Sequence, residues 1–156
     1  MLDFQEMPGH LIRRLHQISV SVFADDMARS GLDITPVQFA ALNVLQSRPG
    51  IDQATLAGLI AYDRVTIGGV VDRLVQKDLV TRTVNPDDRR ARRLHLTGEG
   101  ERVLASAAPI VRDVQARILS GLDDGERAML LSLLKKTAAA GNELSRAPLR
   151  DGPGRD

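Results

Sequence analysis

The chain has 156 residues, a net charge of +1, only 3% aromatic residues, no tryptophan and no cysteine. That length suffices for one compact domain, or a small domain with an appendage built for another subunit, and it can bury a core without staples. The lack of cysteine excludes a disulfide framework, a thiolate zinc site, a cysteine nucleophile and a thiol redox switch, and with so few aromatics the core must be built from Leu, Val, Ile and Ala, which pack readily as helices.

Residues 1 to 8 read as an extended lead-in ending at Pro8. Leu11, Leu15, Ile18 and Val22 then follow a helical period, with Ile12 and Phe23 widening the stripe, which predicts a first helix to about Arg29. Gly31 stops it. Thr35-Pro36-Val37-Gln38 offers an N-cap, a proline at the first helical position and a capping-box glutamine, so a second helix runs to about Ser47, before Pro49-Gly50. Asp52 caps a short third helix with Leu56, Leu59 and Ile60 on its apolar face, and a tight turn through Ala61 and Tyr62 follows. Asp63 is the expected cap of a fourth helix, in which Ile67, Val70, Val71 and Leu74 form the inward face. Its opposite side carries Arg64, Thr66, Gly68, Gly69 and Arg73. Each glycine in a helix interior costs about 1 kcal/mol relative to alanine, so the pair suggests either close approach of something large or simple tolerance.

Beyond Lys77 the period changes. Residues 79–84 and 92–97, joined by Asn85-Pro86-Asp87-Asp88, read as a β-hairpin. Thr97 or a neighbour opens a fifth helix with Val103, Leu104, Ala107, Ile110, Val111, Val114 and Ile118 as its stripe, and Pro109 is expected to kink or divide it. Asp123-Asp124-Gly125-Glu126 is a capping box for a sixth helix, with Met129, Leu130, Leu133, Leu134, Ala138 and Leu144 as apolar positions. From Ala147 the composition of Pro, Gly, Arg and Asp predicts a disordered tail, 147–156. The N-terminus lacks a basic segment followed by an apolar run, and no stretch approaches the roughly 20 apolar residues that span a bilayer, so a cytoplasmic protein without membrane contact is expected.

Charge is concentrated in one place. From Arg82 to Arg93 five arginines (Arg82, Arg89, Arg90, Arg92 and Arg93) face two aspartates, a local charge of +3 that leaves the rest of the chain slightly acidic. Two helices, a tight turn and a two-faced second helix recur in many helical proteins. Followed by a hairpin with an arginine tip, they place two charged elements where one duplex meets both: a helix fits the major groove and an arginine enters the minor groove. The plainer reading is a solvated hairpin whose arginines confer solubility.

Three segments resemble the MarR family of winged helix-turn-helix regulators, over about residues 10 to 145. They are Leu56-Ala57 through Tyr62-Asp63-Arg64-Val65-Thr66 with Val71-Asp72-Arg73-Leu74 and Lys77-Asp78-Leu79-Val80; Asp88-Arg89-Arg90 ahead of Leu96-Thr97; and Gly98-Glu99-Gly100. The resemblance implies a mainly α fold with a small β-wing, in which 33–97 form a winged helix-turn-helix and 9–30 with 98–146 form a helical dimerisation region. It implies DNA contacts from Arg64, Thr66, Gly68, Arg73, Asp88, Arg89 and Arg90, with Arg90 in the minor groove and Asp88 orienting its guanidinium through a charge-assisted pair. It further implies a homodimer that sets two recognition helices about one DNA turn apart, roughly 34–36 Å, on a palindromic operator.

The first helix carries His10, Arg13, Arg14 and His16, a run similar to that of the subgroup serving aromatic-acid catabolism. Arg13, Arg14 and His16 are candidate contacts for a small aromatic carboxylate, since an arginine fork suits a carboxylate and a histidine a phenolic oxygen. They are equally readable as surface arginines and an interface histidine. No metal or cofactor is expected: His10 and His16 do not share the three- or four-residue spacing that brings two ligands onto one helical face. No phosphate-binding glycine loop, paired-histidine motif or Gly-x-Ser-x-Gly elbow points to an enzyme. The expected function is a DNA-binding repressor released by such a ligand, and the alternative is an interaction adaptor that keeps the winged fold without binding DNA.

Overall fold

The computed structural model describes residues 1–152. After a 3-10 turn at Phe4–Glu6, six helices and one hairpin follow in the order α1 (Pro8–Arg29), α2 (Pro36–Ser47), α3 (Gln53–Leu59), α4 (Ile67–Gln76), β1 (Val80–Val84), β2 (Arg92–Leu96), α5 (Gly98–Ile118) and α6 (Asp124–Ala140). The expected caps close the helices. Thr35 and Gln38 form the reciprocal capping box of α2, Asp52 accepts from the Thr55 amide at 2.7 Å, Thr97 accepts from the Gly100 amide at 2.9 Å, and Asp123 with Glu126 forms the box of α6. Each cap satisfies amide donors that a helix start leaves unpaired.

One core unites α2, α3, α4, the hairpin and parts of α1 and α5. Met27, Leu42, Leu45, Leu56, Ile67, Leu74, Val71, Val80, Leu94 and Val114 are its fully buried large side chains. The hairpin is antiparallel, pairing Val80 with Leu96 and Arg82 with Leu94. Its second strand is also held from behind, because Gly50 donates to the Leu94 carbonyl at 2.8 Å and Leu94 donates to that of Ile51 at 2.9 Å. The start of α5 passes so near the hairpin base that a Cβ at Gly100 would lie 2.1 Å from the Leu79 carbonyl oxygen. Only glycine fits there.

The structure departs from expectation in several places. The lead-in is not extended throughout, since Phe4–Glu6 form a 3-10 turn that the Asp3 carboxylate closes by accepting from the Gln5 amide at 3.1 Å. Asp63 does not cap α4 directly. The chain makes a hydrogen-bonded turn through Arg64, Val65 and Thr66 first, with Asp63 accepting from the Val65 amide at 2.8 Å, and the helix begins at Ile67. Pro109 does not divide α5, which runs unbroken from Gly98 to Ile118. Pro109 and Ala105 both lie on the exposed face, where water can reach the carbonyl that the proline ring leaves unbonded. The tail, expected to lack structure, carries hydrogen bonds as far as Arg150, and 153–156 lie outside the described residues. The Arg150 amide donates to the Gly58 carbonyl at 2.8 Å, Leu149 donates to Asn142 at 2.8 Å, and the Arg150 guanidinium holds Glu143 at 2.6 and 3.0 Å. These bonds lower the Glu143 pKa and raise that of Arg150. Composition missed these contacts because they are polar, and the one to Gly58 joins positions far apart in the chain.

The outer helices are different in kind. Leu11, Ile12, Leu15 and Ile18 on α1 are exposed, and α6 has no buried residue although Met129, Leu131, Leu133 and Leu134 project from it. Between α1, the end of α5 and α6 lies an apolar groove of about 500 Å³ lined by Leu15, Ile118, Leu122, Met129, Leu130 and Leu133. At the other end α1 is fastened to α5 by Phe23 and Met27 in the core and by the Arg117–Asp26 ion pair, whose hydrogen bond raises the Arg117 pKa. No described helix is long and apolar enough to cross a membrane.

Candidate nucleic-acid interface

The helix-turn-helix, the expected reading unit, is α3, a turn and α4. In the turn, Ala61 takes a left-handed conformation (φ 51°) and the Tyr62 amide donates to the Ala57 carbonyl at 2.8 Å, which brings α4 sharply across α3. Ile67, Val70, Val71 and Leu74 bury one side of α4, so its other side is presented as a face. Arg64, Thr66, Gly69 and Arg73 are exposed there. The Arg73 side chain has no ion pair or hydrogen bond among the described residues. Thr66 turns its hydroxyl back to the Asp63 carbonyl at 3.3 Å. Gly68 differs from expectation: it is half-buried and points at α3, where a Cβ would stand 3.7 Å from the Gln53 amide nitrogen, while Gly69 has nothing within 4 Å. The open glycine of the pair is Gly69.

The wing sorts its arginines. Arg93 pairs with Asp87 at 3.4 Å, Arg92 donates to the Arg89 carbonyl at 2.7 Å, and Arg82 bonds both Gln53, at 3.1 Å, and Asp72. The guanidinium groups of Arg89 and Arg90 alone among the five have no partner among the described residues. Asp88 acts differently from the expected guanidinium pairing: its carboxylate accepts from the Arg90 backbone amide at 3.0 Å and shapes the turn that projects Arg89 and Arg90. A short polar side chain closing such a turn is favoured because its acceptor lies within reach of the amide two residues on.

Wing and helices enclose a concavity of about 550 Å³ lined by Asp52, Gln53, Arg64, Arg82, Arg90 and Arg92. Arg82, Gln53 and Asp72 were not among the site residues expected from sequence. Arg82 sits on β1 and reaches α3 and α4 at once, and it belonged to the basic cluster without any signal that its role was internal. Lys77 does similar work at the far end of α4, bonding the buried Gln38 at 3.3 Å and pairing with Asp33 at 3.0 Å.

The α1 cluster is not gathered into a site by this chain alone. Arg13 bonds Gln17 at 3.0 Å and meets the His10 ring at 3.2 Å, and His10 lies 4.2 Å from the Phe4 ring. Arg14 and His16 are exposed on the same half-helix that carries Leu11 and Leu15. Among the described residues no cluster of three or more His, Cys, Asp or Glu side chains has the arrangement of a metal site.

A concave basic face beside a presented helix has close relatives. The MarR family model matches residues 32–91, the span from the end of α1 to the wing tip. The transcriptional repressor NicR of Pseudomonas putida is 34% identical over 134 residues, covering 86% of this chain and 84% of that protein. This chain belongs to the MarR family. It is a member of a family of transcriptional regulators, not of enzymes. The likeness extends over most of the chain in solved structures. The repressor CouR, solved bound to a 23-mer DNA duplex, superposes with a TM-score of 0.79 at 30% identity, covering 87% of this chain and 95% of that one. Bordetella bronchiseptica BpsR, whose DNA binding is regulated by 6-hydroxynicotinic acid, superposes with a TM-score of 0.82 at 28% identity, covering 88% and 97%.

Proposed function

We propose that this regulator is a cytoplasmic homodimer that binds a palindromic operator and is released from it by a small aromatic carboxylate. The observation that carries the DNA-binding half is the unpaired state of Arg89 and Arg90 beside the open face of α4, when their three arginine neighbours in the wing are tied down. Two unpaired guanidinium groups on a hydrogen-bonded turn give up no existing ion pair when they meet phosphate or a narrow minor groove, and they displace counterions on binding. In this reading 33–97 read DNA, with Arg64, Thr66, Gly69 and Arg73 on the major-groove side. Residues 9–30 and 98–146 join two copies through the exposed stripe of α1 and the apolar side of α6. BpsR, a relative of similar fold, responds to a hydroxylated aromatic carboxylate, and this supports the same class of effector here. Arg13, Arg14 and His16 then line a pocket completed by the second copy. A ligand acts there only by binding more tightly to a dimer whose recognition helices are wrongly spaced.

The test is a DNA-binding titration on the region flanking the gene and on scrambled DNA, with and without hydroxybenzoates and hydroxynicotinates. Salt-dependent binding to the flanking DNA alone, weakened by one of the acids, is the expected result. Arg14→Ala and His16→Ala should blunt that response and leave affinity without ligand unchanged. Equal affinity for both DNAs would favour the adaptor reading, and an unaltered response in both variants would remove the two residues from the pocket.

A further inference from the structure

We infer that Val65 reads the methyl group of a thymine in the major groove, one thymine in each half of the operator. The inference rests on the DNA-binding reading above and names a base-specific contact within it.

Val65 is 89% exposed, although every other apolar residue from Ile67 to Leu74 is buried. Apart from Val84 on the wing, the large exposed apolar side chains of the described residues lie at the chain ends and on α1 and α6. Val65 is therefore an isolated apolar side chain between Arg64 and Thr66, at the point where the reading helix begins. It is also held firmly. Its amide donates to the Asp63 carboxylate at 2.8 Å, the Thr66 amide donates to the Asp63 carbonyl at 3.1 Å, and the other Asp63 oxygen stands 3.4 Å from Arg146 of the C-terminal segment. The β-branch restricts χ1, so the two methyl groups are presented in few orientations. Four residues on, on the same exposed side of the unit, Gly69 has nothing within 4 Å of where a Cβ would stand, so its backbone is an open ledge. In the major groove only thymine offers an apolar group, its C5-methyl, and apolar side chains are what recognise it. A valine on the same exposed side as a bare backbone ledge fits that methyl and offers nothing to the polar edges of the other bases.

The experiment uses the full chain and a duplex that it selects from a randomised pool. Each thymine of the selected site is replaced in turn by deoxyuridine, which removes the methyl and leaves every hydrogen-bonding group in place. The wild-type protein should lose about fourfold in affinity at one thymine per half-site, the size of one buried methyl group. Val65→Ala should bind the thymine and deoxyuridine duplexes alike, and Val65→Ile should keep the discrimination. The inference is overturned if no thymine is selected, or if each replacement costs Val65→Ala as much as wild type. Arg90→Ala separates the two levels of the argument. If it weakens binding while Val65 shows no coupling to a methyl, only this inference fails; if it too leaves affinity and salt dependence unchanged, the DNA-binding reading falls with it.

Discussion

The reading unit and the outer helices spend similar apolar sequences in opposite ways. In α4 the residues Ile67, Val70, Val71 and Leu74 are all buried within the chain, whereas Leu11, Leu15 and Ile18 of α1 and Met129, Leu133 and Leu134 of α6 remain exposed at the same helical spacing. A stripe of that period has to be covered by something. The reading unit covers its own, so its shape and the face it offers to DNA belong to one chain. The outer helices leave theirs uncovered, and the proposed second copy is what would cover them.

The largest effect is therefore expected at the surface between copies. Leu15→Glu places a charge in the groove between α1 and α6 without touching the buried core. It should give a folded monomer by circular dichroism and sedimentation, and lower affinity for a palindromic site by about 100-fold or more as the two half-sites cease to be bound together. A dimer of unchanged strength would show that this groove is not the interface. Next comes the wing. Arg90→Ala should weaken operator binding by about tenfold and flatten the dependence of log affinity on log salt by about 2, roughly 1 for each copy in the dimer, with the greater loss on A·T-rich flanks. Wild-type affinity and slope in a folded variant would remove the wing from the interface.

The smallest effect separates two roles for Asp88. Because its carboxylate accepts from the Arg90 backbone amide, Asp88→Ala should loosen the turn and cost about threefold, while Asp88→Asn, which keeps an acceptor and removes a negative charge near phosphate, should bind as well as wild type. If the aspartate instead oriented the guanidinium by charge, both variants would lose affinity. Titrations at one fixed salt concentration distinguish these results.

Much of the reading unit was legible from residues alone because its signals are local. A capping box, an apolar period and an Asn-Pro-Asp turn each act over a few residues, and they located α2, α3 and the hairpin. The first turn of the reading helix was misplaced, since a capping aspartate and an aspartate closing a preceding turn look the same in sequence. Gly68 and Gly69 could not be told apart for a related reason. Which of two adjacent residues faces α3 depends on the rotation of α4, and that is settled by how Ile67 and Val71 pack.

What the sequence by itself determined about this protein is the kind and order of its elements, the density of arginine in the wing and the existence of unpaired apolar stripes, all of which follow from short-range chemistry. Tertiary structure alone decided which arginines are free. Arg82 became a brace because the fold brings Gln53 and Asp72 to it from positions far apart in the chain, and Arg89 and Arg90 meet no partner among the described residues, the Asp88 carboxylate accepting from the Arg90 backbone amide instead. Charge count is a property of sequence. The partner each charge meets is a property of long-range packing, which no local pattern encodes.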